Sequence, residues 1–292
     1  MKKILVIGGT GFIGYHCLKN ASKLNASLFS ISLKNPKKFR KVRGVKYIKC
    51  DFTNYNKLKK INNDYEYIIN AGGYYSNLKK NTDKHFKGLK NIINFINKKK
   101  LKKFIQIGSS LEYDGLKSPL NEKMFCKPRN HYGKIKLKCT KYALKLYKKK
   151  KYPISIIRLF SLYGKNQNKG LIFDTIKNAK TKKSFPTSLG NQLRDFCYID
   201  DVINAIFKVL FSKKTNGEIF NVGYGKPFYV SKIINDIVHK INYGQPRWGV
   251  IKLKKNDNIK FYPSIIKIKK KLKWRPFIKI DSGINSLIKN YK

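Results

Sequence analysis

Tyr132 and Lys136 are the residues whose types and spacing most directly suggest chemistry. They are four positions apart in a stretch with helical periodicity, so their side chains share one helix face. A phenol can donate and accept a proton, and a nearby ammonium favours its ionised form. Tyr-x-x-x-Lys also arises by chance in a chain with 19 Tyr and abundant Lys. Its position after a buried strand that leads into Ser109 makes it a candidate for acid–base catalysis.

A second candidate motif lies at the start of the chain. An apolar run over 2–7 ends in the glycines Gly8, Gly11 and Gly14 and is followed by a helical pattern. Gly8 allows a sharp turn, Gly11 lets backbone approach a pyrophosphate, and Gly14 permits close packing of the helix on a sheet. The positive end of that helix would hold the pyrophosphate. The alternative is a strand–turn–helix that binds no ligand.

The elements that must position these residues alternate between buried strands and amphipathic helices. This alternation predicts a parallel sheet with helices on both faces. Helices are predicted over 83–98 and 130–149, and strands, some with the turns that follow them, over 27–32, 45–52, 67–73, 103–113, 152–164 and 218–223.

Composition narrows the class of protein. The chain has 292 residues with 41% hydrophobic and 13% aromatic content, which excludes a disordered protein. Five scattered cysteines predict free thiols, neither disulfides nor a metal site, and no apolar stretch is long enough to span a membrane. We therefore expect a cytoplasmic protein. The net charge of +51 comes mostly from Lys spread along the chain, so we expect no specific nucleic-acid binding.

Several segments together resemble one known family. The segment Gly8-Gly9-Thr10-Gly11-Phe12-Ile13-Gly14, the pair Tyr132 and Lys136, Arg194-Asp195-Phe196 and Leu272-Lys273-Trp274-Arg275-Pro276 follow each other in that family's order. The chain thus resembles the extended short-chain dehydrogenases/reductases, the NAD(P)-dependent nucleotide-sugar epimerases, dehydratases and reductases. The resemblance implies an α/β fold, a Rossmann-type doubly wound parallel sheet with a smaller C-terminal α/β substrate domain. Residues 1–164 and 196–223 would form the dinucleotide domain, and 165–195 and 224–292 the substrate domain.

The resemblance also implies a cofactor site. After Ser32 the chain reads Leu33-Lys34 and continues to Lys38 without a carboxylate, so a ribose 2′-phosphate is favoured. This predicts NADP(H), with NAD(H) as the alternative. The residues expected to contact the cofactor, besides Tyr132 and Lys136, are Gly8, Thr10, Gly11, Phe12, Ile13, Gly14, Ser32, Lys34, Asp51, Phe52, Ala71 and Gly72.

Catalytic and substrate contacts follow from the same resemblance. Ser109 occupies the position of the family's active hydroxyl, and Tyr132 occupies the position of its acid–base residue. Lys136 occupies the position of the lysine that holds the tyrosine and the ribose. Substrate contacts are expected at Ser110, Ser161, Arg194 and Lys254. The chain departs from the family pattern at His85, Glu112 and Asp114, where the family usually has Asn, Val and Gly.

The expected activity is NADPH-dependent reduction of a nucleotide-diphosphate-linked 4-keto-6-deoxysugar. Ser110 and Leu111 stand where the dehydratases of the family have Asp and Glu, and Leu111 cannot act as a general acid, so a dehydratase is disfavoured. The alternative is an NAD-dependent nucleotide-sugar 4-epimerase, and a third hypothesis is a polyanion-binding protein without activity. A homodimer through the helices over 83–98 and 130–149 is expected.

Overall fold

The computed structural model describes residues 1–73, 79–253 and 257–291. Its strands are β1 (Lys2–Ile7), β2 (Ala26–Ser32), β3 (Val45–Lys49), β4 (Tyr67–Asn70), β5 (Lys103–Ile107), β6 (Ile154–Leu159), β7 (Leu162–Tyr163), β8 (Ser184–Pro186), β9 (Leu193–Arg194), β10 (Cys197–Tyr198), β11 (Ile219–Val222), β12 (Phe228–Tyr229), β13 (Gln245–Arg247) and β14 (Lys260–Phe261). Its helices are α1 (Phe12–Ala21), α2 (Tyr55–Leu58), α3 (Lys79–Phe95), α4 (His131–Lys150), α5 (Leu171–Thr181), α6 (Ile199–Leu210), α7 (Val230–Ile241), α8 (Ile266–Leu272) and α9 (Ile280–Asn290). Short 3₁₀ turns cover Lys38–Arg40, Ser110–Tyr113 and Lys213–Thr215.

The central element is a seven-stranded sheet in the order β11-β6-β5-β4-β1-β2-β3. The strand pairs from β3 across to β6 are parallel. Residues 4–7 of β1 are fully buried, as expected for a strand covered on both faces. Strand order reverses between β1 and β4, and ligands of such sheets bind beyond the strand ends at that point. The predicted Rossmann-type α/β fold is confirmed.

Helices α3 and α4 are packed on one face of this sheet. Leu89 and Ile92 of α3 and Ala143 of α4 join a buried cluster with Ile68 of β4 and Phe104 of β5. Burial of these apolar faces orients both helices. The face of α4 that carries Lys136 is consequently turned inward.

The chain forms two compact units. The first comprises 1–114, 125–159 and 203–220 and contains most of the large sheet. The second comprises 115–124, 160–202 and 221–292 and contains small sheets in the orders β12-β9-β14, β13-β8 and β10-β7. Trp274 is fully buried in the second unit and donates a hydrogen bond to the Asp201 carbonyl at 3.2 Å. The division of labour between a cofactor domain and a substrate domain stays a prediction.

Element ends differ from the sequence-based expectation where side chains compete with the backbone. Strand β3 ends at Lys49, because the Asp51 carboxylate accepts the Thr53 backbone N–H at 2.9 Å and forms a turn. Helix α3 covers Lys79–Phe95 where 83–98 was expected, and Asn97 forms a similar turn with the N–H of Lys99 at 3.1 Å. Asp51 and Phe52 thus follow β3 and do not belong to it.

The cysteines and the apolar character of the helices complete the description of the fold. All five cysteines lie among the described residues, and all are buried and outside any disulfide. Among the helices of residues 1–73, 79–253 and 257–291, none is both long enough and apolar enough to cross a bilayer.

Candidate active site

The glycine turn after β1 is fitted against the turn after β4. Gly8 has φ +78°, and a Cβ built on it would lie 2.8 Å from Cα of Gly72. A Cβ on Gly14 would lie 2.2 Å from the Gly8 carbonyl oxygen. The Gly11 N–H donates to that same oxygen at 3.0 Å. Larger residues at Gly8 and Gly14 would therefore displace one of the two turns.

The start of α1 is suited to an anion. Gly11 is the N-cap and offers no side chain, and the first turn contains no acidic residue. The backbone N–H groups of Phe12, Ile13 and Gly14 have no acceptor within the helix because they belong to its first turn. These N–H groups and the helix dipole fit a dinucleotide pyrophosphate.

Ser32 and Lys34 have different environments at the end of β2. Ser32 is buried, and its Oγ accepts the Thr10 N–H at 3.4 Å and lies 3.2 Å from the Ser30 Oγ. Lys34 is exposed. The Ser32 hydroxyl thus supports the glycine turn from within the protein, and Lys34 is the group of the two that is open to a ligand.

Phe52 links the turn after β4 to helix α3. A Cβ on Gly72 would lie 3.0 Å from the Phe52 ring, and a Cβ on Gly88 of α3 would lie 2.1 Å from it. Ala71 is held beside the glycine turn because its N–H donates to the Ile7 carbonyl at 3.1 Å. The predicted cofactor residues after β1, β3 and β4 therefore meet at one edge of the sheet.

Lys136 and Tyr132 lie on the same face of α4. The Lys136 ammonium is buried, donates to the Ile107 carbonyl at 2.7 Å, and is 5.9 Å from the centroid of the Tyr132 ring. Tyr132 is only half-buried. An ammonium anchored in this way leaves two N–H donors for a ligand or for the phenol oxygen.

Ser109 caps the Ser110–Tyr113 turn. Its Oγ accepts the Leu111 N–H at 3.1 Å, so the hydroxyl proton remains available for donation. A Cβ on Gly133 would lie 2.2 Å from the Leu111 carbonyl oxygen. Helix α4 is thus packed directly on the turn that carries Ser109 and Ser110, which brings Ser109, Tyr132 and Lys136 onto adjoining elements.

The buried Glu112 carboxylate holds the Ser110–Tyr113 turn in place. Its Oε1 accepts the Ser109 N–H at 3.0 Å, and its Oε2 accepts the Arg158 Nε at 2.9 Å. Burial lowers the pKa of Arg158, but its interactions with Glu112, Tyr113 and Cys126 together outweigh burial, so the pKa lies above its ordinary value. The capping-box spacing Ser109-x-x-Glu112 is a local pattern that could have revealed the contact with the Ser109 N–H, whereas nothing local points to Arg158.

Asp114 fixes the start of α4. Its carboxylate accepts the backbone N–H groups of Arg129 and Asn130 at 3.1 Å each, the Arg129 guanidinium at 3.1 Å and the Asn130 amide at 2.8 Å. Burial raises the pKa of Asp114, but these bonds from Arg129 and Asn130 hold it below its ordinary value. Asn130 in turn caps α4 through the Gly133 N–H at 2.7 Å. Asp114 therefore positions the turn of helix that presents Tyr132.

His85 lies next to Tyr132. The imidazole is buried, and its ring centroid is 5.5 Å from the Tyr132 centroid with the rings nearly perpendicular at 80°. A Cβ on Gly73 would lie 1.9 Å from Cε1 of His85. His85 is thus a core residue, and it contacts both the phenol and the turn after β4, a role that its spacing did not reveal.

Ser161 and Arg194 line one pocket inside the second unit, together with Gln192 and Phe196. The Arg194 Nη1 donates to the Leu193 and Ile259 carbonyls at 3.0 Å each. Burial lowers the pKa of Arg194, which Asp257 opposes. The predicted substrate residue Lys254 lies outside the described residues.

Comparison with known proteins gives consistent matches over three quarters or more of the chain. A UDP-glucuronate 4-epimerase of Thermodesulfobacterium geofontis is 26% identical over 97% of this chain and 94% of its own. An ADP-L-glycero-D-manno-heptose-6-epimerase of Brachyspira hyodysenteriae is 29% identical over 76% of each chain. The solved UDP-glucose 4-epimerase of Thermotoga maritima has a TM-score of 0.91 at 21% identity, over 99% of this chain and 98% of that one.

The model of the NAD dependent epimerase/dehydratase family matches residues 4–223. The chain belongs to this family, and the resemblance predicted from its motifs is confirmed. It is accordingly an enzyme of the nucleotide-sugar epimerase and dehydratase type.

Proposed function

We propose that the protein is an NAD-dependent epimerase that inverts a carbinol centre, C4, of a nucleotide-diphosphate sugar. The observation that carries the proposal is the buried Lys136 ammonium, bonded to the Ile107 carbonyl and set beside Tyr132 on one face of α4. Relatives named as 4-epimerases over nearly the whole chain support this reading over the reductase expected from the sequence. Leu111, which cannot supply a dehydratase acid, disfavours elimination.

Tyr132, Lys136 and Ser109 have different roles in the proposed epimerisation. A nicotinamide held by the glycine turn and Lys136 would supply the hydride acceptor and donor for the sugar carbon. Tyr132 takes the proton of the C4 hydroxyl when that carbon is oxidised and gives it back when the carbonyl is reduced from its opposite face. Lys136 places a positive charge 5.9 Å from the centroid of the Tyr132 ring. The Ser109 hydroxyl donates a hydrogen bond to the oxygen while it is a carbonyl.

The substrate diphosphate is proposed to bind in the second unit. Arg194 offers a fixed positive charge at a pocket that Ser161 also lines, and a forked guanidinium suits a diphosphate. Lys254 is retained in this proposal as a second cation. Ser110 is proposed to contact the sugar because it follows Ser109 in the same turn.

NADPH-dependent reduction of a 4-keto sugar is the second candidate. It is favoured by one feature, the end of β2, where Ser32-Leu33-Lys34 offers no carboxylate to a ribose 2′-hydroxyl and Lys34 is exposed. NADP is therefore tested beside NAD. An NADP dissociation constant at least tenfold below that of NAD, measured by calorimetry, would favour the reductase.

The direct test uses the protein as purified. Mass spectrometry identifies the bound dinucleotide, and NMR follows UDP-glucose, UDP-glucuronate and UDP-N-acetylglucosamine incubated with the NAD-loaded enzyme. We expect conversion to the C4 epimer without net formation of NADH. Stoichiometric NADPH consumption with a 4-keto-6-deoxysugar nucleotide, and no epimerisation of any substrate, would contradict the epimerase proposal.

A homodimer through α3 and α4 is retained as a proposal. Phe86 and Ile135 line a groove between these helices, and its charged lining residues are three lysines and one carboxylate, Lys87, Lys90, Lys138 and Asp83. Pairing two such faces would bring like charges together, so dimerisation should strengthen as salt screens them. Sedimentation velocity at about 50 mM and 500 mM NaCl tests this, and a monomer at both salt concentrations would contradict it.

A further inference from the structure

Two buried amide side chains lie at the carboxyl ends of neighbouring strands of the large sheet. Asn70 of β4 and Gln106 of β5 are each 3% exposed and are register partners in the parallel ladder. Buried amides cost free energy unless their hydrogen bonds are made. Both amides lie where their strands end, between the turn at Gly72 and the Lys136 side chain. This position indicates a role in the candidate site as well as in packing.

The amides form a continuous chain with a defined direction. The Gly72 N–H donates to the Asn70 Oδ1 at 3.3 Å, and the Asn70 Nδ2 donates to the Gln106 Oε1 at 2.8 Å. The Gln106 Nε2 donates to the Ile107 carbonyl at 3.0 Å. That carbonyl is also the acceptor of the Lys136 ammonium at 2.7 Å. Rotating either amide by 180° would break the chain on both sides of it.

We propose that Asn70 and Gln106 are positioning residues that tie the turn at Gly72 to the Lys136 ammonium. The chain fixes the Ile107 carbonyl from one side while Lys136 binds it from the other. Hydrogen bonds linked in a low-dielectric core reinforce one another, so a break at one end loosens the other. The structural link between the Gly72 turn and Lys136 is a property of the folded chain. Only its consequence for catalysis rests on the proposed function.

The experiment breaks the chain at each amide and reads the opposite end. In Gln106→Met, which approximates the volume, NMR measures amide exchange at Gly72. In Asn70→Leu, competitive acetylation with mass spectrometry measures the reactivity of Lys136, with exposed Lys134 as internal reference. NAD affinity is measured in both. The matched control is Ser155→Ala, which removes a buried bond from Ser155 Oγ of β6 to the Thr215 carbonyl, a bond that does not belong to the chain of amides.

We expect Gly72 exchange to rise at least tenfold in Gln106→Met and Lys136 labelling to rise at least threefold in Asn70→Leu. NAD affinity should fall about fivefold to tenfold in both, as for the loss of one ordinary hydrogen bond. Ser155→Ala should lower the melting temperature and leave all three quantities unchanged.

A further variant separates positioning from stability. The double variant Asn70→Leu/Gln106→Met removes both amides, so it should be more stable than the less stable single variant, because fewer buried groups are left unpaired. Positioning predicts that it still shows fast Gly72 exchange and reactive Lys136. If the remote ends behave as in the wild type in every variant, the amides only satisfy each other and the proposal is wrong. Absence of epimerase activity in the wild type would leave these readouts unaffected.

Discussion

Replacing Glu112 by Gln should strongly destabilise the protein. The Glu112 and Arg158 side chains are 0% and 3% exposed, and their ion pair is 2.9 Å long. Gln retains the shape and can still accept the Ser109 N–H, but it leaves a buried guanidinium without its counter-charge. Breaking a buried pair in this way costs about 3–5 kcal/mol. With a urea m-value of about 3 kcal/mol/M, the unfolding midpoint should fall by about 1–2 M.

Urea unfolding followed by circular dichroism measures this effect. The double variant Glu112→Gln/Arg158→Met removes the orphaned charge and should recover most of the lost stability. Glu66→Gln is the matched control, because Glu66 pairs with the exposed Lys102 at the surface, where ion pairs contribute little. A midpoint for Glu112→Gln within error of that control would refute the reasoning that this pair holds the Ser109 turn.

Three further predictions concern pH, packing and the cofactor. Burial raises the pKa of Asp195 from 3.8 to about 7, although two backbone N–H groups oppose it, so the folded state keeps a proton that the unfolded state loses. The unfolding free energy should therefore fall by up to ~4 kcal/mol as pH rises from about 4 to about 7, and Asp195→Asn should flatten that slope in urea titrations. His85→Ala should lower kcat about tenfold with KM unchanged, because a ring at this position supports Tyr132. His85→Phe keeps a ring there, so its kcat should lie within about threefold of the wild-type value. An equal loss of kcat in both variants would contradict this role of the ring. Gly14→Ala should weaken NAD binding at least tenfold by calorimetry, because the new Cβ meets the Gly8 carbonyl oxygen; unchanged affinity would exclude the proposed turn as the pyrophosphate site.

Much of the fold could be predicted because its signals are local. The apolar run before Gly8 identified a buried strand, and the spacing of Tyr132 and Lys136 placed them on one helix face, as the structure has them. The glycine pattern also predicted a close approach, which the structure shows between Gly14 and Gly8. These inferences need only the geometry of one strand or one helix.

The supports of the site could not be predicted, because they join residues far apart in the chain. Glu112 and Arg158 are 46 positions apart, and Asn70 and Gln106 are 36 apart. Such pairs become neighbours only through the order of strands in the sheet. Glu112 and Asp114 therefore stood out in the sequence merely as departures from a family pattern, although the structure gives each carboxylate several partners.

The most direct test of the account is the epimerisation rate of Tyr132→Phe with bound NAD. Removing the phenol hydroxyl should lower kcat by about 10²–10⁴-fold, because general acid–base catalysis contributes that much. Lys136→Met should show a loss of similar size, and Lys134→Met, which changes an exposed lysine on the same helix, should retain the wild-type rate. A Tyr132→Phe enzyme that inverts the sugar at the wild-type rate would contradict the assignment of this residue as the acid–base group.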